Sequence, residues 1–375
     1  MKVRRALVVG AGPAGLSAAI GLLQQGAEAV DVAELTDGHG VIGSELLLAG
    51  PMLRALDALD VADRCAEIGV GIERGVHQAM DGSVIGEQPF PPAHRAGLPP
   101  AVGITRPRLH EVLGDRAAEL GASLRYGVSV AGFENQDDSV NVKLTDGTAG
   151  TYDLLVGADG VTSSIREAAL PDAERPEYVG QAVWRARVPR GDLAPELVAE
   201  YGPRTKPGVI PVSSEHAYLF CLVTVPQFER LPRERFPELL RSALQGFGGP
   251  VGRAREHIGD PDHIHYSPLT PLIVSSPWYR DRCVVIGDAV HATTPHLGYG
   301  AGLAVEDGLL LAEELASHSS IEEGLTSFFA RRYERCRMVV DNGIQLSRWE
   351  QAPDDHEADS VGLTAKSFMA MAAPA

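Results

Sequence analysis

The sequence predicts an α/β protein in which a discontinuous, parallel-stranded domain carries a second, smaller domain built on a mixed β-sheet. Three observations predict it. Apolar runs at residues 6–9, 152–156 and 283–286 each end in a glycine-bearing turn and pass into a helical stretch, the pattern of buried parallel strands with crossover helices. The three runs lie far apart in the chain, so the domain they build must be assembled from separate segments. Between the last two, residues 178–277 alternate as strands. A chain of 375 residues with 44 % hydrophobic content has the length for two or three domains and the apolar material for a full-sized core.

The opening stretch ALVVGAGPAGLSAAIGLLQQGAEAVDVAE is the most informative. Residues 6–9 form a short strand, and Gly10, Gly12 and Gly15 place G-x-G-x-x-G at the turn into a helix. Leu16, Ala19, Ile20 and Leu23 share one face of that helix, and Gly26 stops it. Residues 30–33 read as a second strand ending in Glu34, about 20 residues beyond the glycines. A tight turn, close backbone approach and a helix N-terminus facing negative charge suit a pyrophosphate, and the acid suits ribose hydroxyls. The domain is therefore Rossmann-like and binds a dinucleotide, which this motif alone leaves open between FAD and NAD(P).

Two later motifs repeat the strand-to-turn pattern. TYDLLVGADGVTSSIRE gives a strand at 152–156, a turn at 157–160 and a helix start at 163–166. RCVVIGDAVHATTPHLGYGAGLAVEDG gives a strand at 283–286, a loop with Gly298, Gly300 and Gly302, and a helix from about Leu303. Asp159 and Asp288 stand at the strand ends, as groups gathered round a ligand larger than one diphosphate.

The three motifs GAGPAG, GADG and GDAVHATTP, in this order, resemble the signatures of the class A, single-component flavoprotein monooxygenases, the family of para-hydroxybenzoate and salicylate hydroxylases. The resemblance spans about residues 1–345. It implies FAD, tightly but non-covalently bound, with NAD(P)H and O2 as co-substrates and a flavin C4a-hydroperoxide that hydroxylates a small aromatic, phenolic or heteroaromatic substrate. By that resemblance Gly10, Gly12, Ala14, Gly15 and Glu34 hold the ADP half. Arg106 contacts the flavin side, and Asp159 and Gly160 lie near the pyrophosphate and serve NAD(P)H access. Asp288 binds the ribityl or pyrophosphate region, Pro295 sits beside the reactive edge of the ring, and the backbone of Gly298, Gly300, Ala301, Gly302 and Leu303 reaches the ring. Gly302 stands where the family often has Asn, and Leu35 where it often has a basic residue.

The middle segment supplies the substrate site through the runs QAVWRARVP, GVIPVSS, HAYLFCLVTVP and HIHYSPLTPL. Arg185 or Arg187 is a candidate partner for a substrate carboxylate, and His216 or Tyr218 for assisting phenol deprotonation. Trp184, Tyr201, Tyr266 and His296 are further candidates for the wall. Each has a plain alternative: Trp184 in sheet packing, the two arginines on a solvated face, His216 in a turn, and His291 as a hydrogen-bonded structural residue. The competing readings are another flavin oxygenation (epoxidation, Baeyer–Villiger insertion or decarboxylative hydroxylation, as a biosynthetic tailoring step), an NAD(P)-dependent reductase, and a flavin-binding module without catalysis.

Composition narrows the partners. With 33 basic and 50 acidic residues the net charge is −17, which repels phosphate backbones and argues against nucleic acid. Cys65, Cys221, Cys283 and Cys336 are widely spaced with no Cys-x-x-Cys, as in a reduced, cytoplasmic protein. Lys2, Arg4 and Arg5 precede an apolar run, but its glycines and proline suit a phosphate loop rather than an export signal. No stretch is apolar enough for a membrane span. No metal-ligand spacing and no G-x-S-x-G occur. The expected division is 1–73, 101–177 and 278–345 for the FAD-binding domain and 74–100 and 178–277 for the substrate domain. Residues 346–375 form a C-terminal helix and tail, and the assembly is a monomer or homodimer.

Overall fold

The structure is a computed structural model that describes residues 3–37, 45–352 and 358–375. Its centre is a six-stranded sheet in the order Tyr279–Arg280, Cys283–Val285, Leu154–Gly157, Arg5–Val9, Ala29–Glu34, Ser123–Tyr126. All neighbours pair in parallel except the first two. The central strands are buried on both faces, as Ala6, Leu7, Val8, Leu154, Leu155 and Val156 show. Burial on both sides is why their sequences are unbroken apolar runs and not alternating ones. Helices Pro13–Gln24, Gly50–Ala58, Arg106–Glu119 and Gly300–Ser317 pack together beside this sheet. Gly26, with φ of 91°, ends the first of them in a Schellman motif, Ala27 N donating to Leu22 O and Gly26 N to Leu23 O.

A second sheet of seven strands runs Ile264–Pro268, Gln181–Pro189, His216–Thr224, Thr205–Pro211, Leu197–Tyr201, Arg74–Ala79, Val84–Pro89. It is mixed, because Leu197–Tyr201 pairs in parallel with Arg74–Ala79 while its other pairings are antiparallel. The stretch 74–100, expected to join the substrate domain, contributes two strands to this sheet. One face of this sheet is closed by Leu240, Leu244, Phe247 and Val251 from the helical region that follows, packed on Trp184, Val209 and Leu219. The opposite face carries Arg185, Arg187, Tyr218, Phe220 and Ile210, set by the period of two and the cross-strand register. Tyr218 and Ile210 of that face pack against Ile72 and Ala101, residues of the three-stranded sheet Leu46–Ala49, Ala101–Ile104, Val70–Ile72. The polar face of the outer sheet is therefore turned toward the parallel domain.

A long helix spans Ile321–Gln351 and runs through residue 346, the expected start of the C-terminal helix. Its start is fixed by a capping box, Ser320 Oγ accepting from Glu323 N and the Glu323 carboxylate from Ser320 N. A last helix, Ser360–Ala372, docks back on the fold. Its terminal carbonyls accept from Arg335 (Nη2 to Met371 O, 2.7 Å) and Arg54 (Nη2 to Ala372 O, 2.9 Å), cations placed at the negative end of the helix dipole. Among the described residues no helix is long and apolar enough to cross a membrane.

Candidate active site

The three predicted turns meet at one edge of the parallel sheet. Gly10 leaves its strand with φ of 102°, and a Cβ there would run into the carbonyl of Ala158. A Cβ on Gly287 would lie 2.8 Å from Cβ of Ala14. The Asp-Gly and Gly-Asp turns therefore press on the glycine fingerprint from two sides, at a distance only small residues permit. Arg166 ties the two turns together from its buried position, its Nη1 donating to Val161 O (3.1 Å) and Ala289 O (2.7 Å).

Each sequence-predicted residue has a definite place. Gly12 caps the helix Pro13–Gln24 without any side-chain hydrogen bond, and the space where its Cβ would stand is open. The Glu34 carboxylate accepts from Ala11 N (2.8 Å), Thr36 N (2.9 Å) and Thr36 Oγ1 (2.8 Å), which fixes it at the mouth of the glycine turn. Asp159 caps the helix Ser164–Ala169, accepting from Ser163 Oγ, Ser164 N (2.8 Å) and Ile165 N (3.2 Å), with Gly160 beyond it at φ of 79°. Asp288 is exposed and has no hydrogen bond or ion pair among the described residues. Arg106 opens the helix Arg106–Glu119, and its Nε is buried without a partner. Burial draws the Arg106 pKa down, Asp288 acts against this, and Arg185 adds to it. Arg106, Asp288 and Arg185 thus share one electrostatic neighbourhood, although they come from three distant segments.

Pro295 begins a single helical turn, Pro295–Leu297, closed by Gly298 at φ of 60°. The following helix starts at Gly300, not near Leu303, and carries no side-chain cap and no acid in its first turn. Ala301 is half-buried, and Gly302 and Leu303 are buried. Behind this turn lies a buried ionic network. Asp307 accepts from Gly287 N (2.8 Å), His291 Nε2 and Arg332 Nε (2.8 Å). Glu306 accepts from Arg332 Nη1 (2.8 Å), Arg335 Nε (2.9 Å) and Tyr299 OH (2.7 Å). Burial works to lower the His291 pKa, but Asp307 raises it well above its ordinary value. His291 is the structural residue of the two readings. His291, Asp307 and Cys336 offer ligand atoms within 4.8 Å of one another. The Arg332 guanidinium on the second oxygen of Asp307 already supplies the countercharge a metal would bring, so the set is an ionic network. Sequence gave no signal for Arg332 or Arg335, which sit in a helix that reads as merely amphipathic.

On the substrate side the register separates the candidates. Trp184 and Tyr266 lie on the helix-covered face, stacked at 4.2 Å between ring centroids, and do not face the parallel domain. Alternation puts odd-numbered 185 and 187 on the opposite face from 184, so the plain reading of Trp184 is the correct one. Tyr218 is buried, close enough to Arg185 for a hydrogen bond, and burial raises its pKa. Arg185 Nη1 donates to Ser267 Oγ (2.8 Å). Arg187 is engaged with the buried Glu45 at 3.5 Å, a partner the sequence did not suggest. His216 begins its strand, with its N–H on Ser213 Oγ (2.9 Å), so it sits in the turn at the strand's edge. Tyr201 is 40 % exposed, its hydroxyl 2.9 Å from His77 Nδ1. His296 is fully enclosed.

An uncapped helix N-terminus beneath an open cradle, an exposed Asp288 without a partner among the described residues and a buried Arg106 Nε without one have together the chemistry that fits FAD. Residues 4–343 match the family described as FAD binding domain, and the chain belongs to this family. It is 32 % identical over 352 residues to the 2-heptyl-3-hydroxy-4(1H)-quinolone synthase of Pseudomonas aeruginosa, covering 92 % of this chain and 90 % of that one. It is 30 % identical over 357 residues to the 3-hydroxybenzoate 6-hydroxylase of Polaromonas naphthalenivorans, covering 91 % and 87 %. The structure of Klebsiella pneumoniae HpxO complexed with FAD and uric acid superposes with a TM-score of 0.83 at 24 % identity, covering 98 % of this chain and 92 % of that one. The protein is an FAD-dependent flavoprotein monooxygenase of the hydroxylase class, with NAD(P)H and O2 as its co-substrates.

Proposed function

We propose that the substrate is a small aromatic or heteroaromatic ring bearing an acidic or enolic oxygen, and that Arg185 receives that oxygen. One observation carries this reading. Of the two arginines on the sheet face turned to the cofactor domain, Arg187 is paired with Glu45, while Arg185 is held, among the described residues, only by the neutral Ser267 and Tyr218. A guanidinium without a carboxylate partner keeps its charge available for a planar anion. By their names one relative makes a hydroxyquinolone and the other hydroxylates a hydroxybenzoate, which supports the class.

FAD, once bound and reduced, supplies the activation of O2. The chain's own residues do the rest. The backbone from Gly10 to Gly15 with Glu34 takes the ADP half, and Asp288 and the Gly298–Leu303 backbone take the flavin half. Pro295 stands at the ring's edge, and the buried Tyr218 holds the substrate oxygen while Arg185 favours its ionised form. The enclosed wall of Ile72, Ala101 and Ile210 beside Tyr218 excludes water. In this reading 1–73, 101–177 and 278–345 form the cofactor domain, and 74–100 and 178–277 the substrate domain. Four buried, unpaired cysteines support a cytoplasmic setting.

The test has two stages. The purified protein is expected to show, or take up, a flavin spectrum. A panel of phenols, aromatic acids and hydroxylated N-heterocycles is then screened for stimulated NAD(P)H consumption, with oxygen-18 located in the product. Arg185→Gln is expected to raise KM for the anionic members by about tenfold or more, with a smaller effect on neutral analogues. Equal effects on both classes defeat the assignment to Arg185.

A further inference from the structure

His296, directly after Pro295, is tied to two distant parts of the chain through one carboxylate. Its Nδ1 lies 2.9 Å from Thr294 Oγ1 and its Nε2 3.0 Å from Glu350 Oε2. Glu350 belongs to the final turn of the long helix Ile321–Gln351. The other oxygen of Glu350 accepts from Lys206 Nζ at 2.8 Å, and Lys206 lies on the strand Thr205–Pro211 of the outer sheet. By register Lys206 shares its sheet face with Tyr218 and Phe220, the face turned to the cofactor domain. The His296 side chain is completely enclosed, and Glu350 and Lys206 keep 19 % and 22 % of their side-chain surface. Burial alone would raise the Glu350 carboxyl, yet Lys206 and His296 hold it at about 2. A carboxylate so enclosed stays charged only because both neighbours are present.

We propose that Glu350 is a positioning residue, the centre of a Lys206–Glu350–His296 clasp that fixes the Pro295–Leu297 turn relative to the substrate-facing sheet. Thr294 and Glu350 grip the imidazole from its two nitrogens, so the ring cannot rotate, and the turn that carries it cannot shift. Through Lys206 the same carboxylate sets the spacing between that turn and the sheet. Neither domain contains the whole clasp. The last turn of the long helix, which also meets the outer sheet region through Ser347 Oγ on Gln181 Oε1 (2.7 Å) and Gln351 Nε2 on Val179 O (2.9 Å), therefore reaches across to define the gap in which the substrate lies. The inference rests on the reading of Pro295 as the residue beside the flavin ring.

The test is a double-mutant cycle on the full chain with Lys206→Met, Glu350→Gln and the two combined. FAD affinity is read by quenching of flavin fluorescence, the ring's surroundings by the visible spectrum, and stability by the melting temperature of the FAD-free protein. Lys206→Met leaves a buried carboxylate short of its cation and is expected to weaken FAD about tenfold and to shift the visible bands. The double variant is expected to lose little more affinity than the worse single variant, because both changes break the same clasp. Additive losses of affinity, or losses confined to the melting temperature with spectrum and affinity unchanged, overturn the proposal. Glu350→Gln, the milder change, serves the same reading if Lys206→Met fails to fold. A parent protein that binds no FAD would refute the cofactor reading and this role with it. Coupling in the melting temperatures would then show a structural ion pair only.

Discussion

The ring of Tyr299 occupies the space where a side chain at Gly302 would stand: a Cβ on Gly302 would lie 2.5 Å from Cε2 and 2.7 Å from Cζ of that ring. The ring is not free to withdraw, because its hydroxyl donates to Glu306 at 2.7 Å and Glu306 is gripped by Arg332 and Arg335. The departure from Asn at this position thus has a local cause. Gly302→Ala is expected to cost roughly 1–3 kcal/mol by overpacking. Tyr299→Ala combined with Gly302→Ala should cost less than the sum of the two. Thermal melts of the three variants measure this.

Asp288 is exposed, with no hydrogen bond or ion pair among the described residues, and we propose that it meets the bound cofactor. Asp288→Ala is expected to weaken FAD binding by roughly 1.5–3 kcal/mol, the range for a hydrogen bond to a charged group, with little change in the stability of the FAD-free protein. FAD released on dilution, followed by its fluorescence, reports the loss. Unchanged retention would remove Asp288 from the site.

Arg332 is fully buried and bonds both Asp307 and Glu306. Arg332→Met removes the cation shared by two buried carboxylates, which keep only His291 and Arg335 as charged partners among the described residues, and is expected to cost about 3 kcal/mol. The sign of the pH effect follows from the groups left behind. Burial opposes the charge on Asp307, but His291 and Arg332 hold its pKa below the ordinary value, so its contribution is present above that value and is lost as the pH falls. The raised His291 contributes below its ordinary pKa of about 6.5 and is lost only as the pH climbs through its higher folded value. Without Arg332 the acid limb should begin at a higher pH, which melts between about pH 4 and 8 would reveal.

Glu200 is buried beneath the helix Gly249–Glu256, with Oε1 accepting from Val251 N at 3.1 Å and Oε2 unpartnered. Burial pushes its carboxyl up to about 7. Its register neighbour Gln78 likewise has an unpartnered Oε1, so a proton on Glu200 has an acceptor beside it. A raised carboxyl stabilises the fold below its ordinary pKa, and this is lost as the pH rises through about 7. Glu200→Gln is expected to make the protein more stable than the parent at pH 8, by on the order of 2 kcal/mol, and close to neutral at pH 5. Denaturant titrations at the two pH values give the comparison.

The cofactor half of the site was readable because its requirements are local. Gly10 needs its left-handed turn, Gly15 its close contact with Gly10, and Glu34 its place at a strand end, and each leaves a mark within about 20 residues. The substrate half depends on contacts between distant strands, which a single sequence leaves open. Trp184 and Arg185 are adjacent in the chain and face opposite sides of the sheet, so only the register shows which of them is turned to the cofactor domain. Glu45, Lys206 and Glu350 were missed for the same reason, since a lone charge in an amphipathic run looks identical whether it meets solvent or a buried partner. The fold was readable further than the site: strand Gln181–Pro189 coincides with the predicted run, while the two strands from 74–89 lacked an apolar pattern strong enough to announce them.

The order of strands in the parallel sheet sets a timetable for folding. Strand Arg5–Val9 lies between Ala29–Glu34 on one side and Leu154–Gly157 on the other, and the latter waits for Cys283–Val285. A chain emerging from the ribosome at about 5–20 residues per second exposes the first strand for many seconds before its last neighbours exist. With such non-local pairing the glycine cradle closes only when some three-quarters of the chain has been made, and folding is correspondingly slow. A nascent chain that ends before residue 283 therefore lacks the strand that pairs with Leu154–Gly157, and leaves the far side of that strand open and apolar.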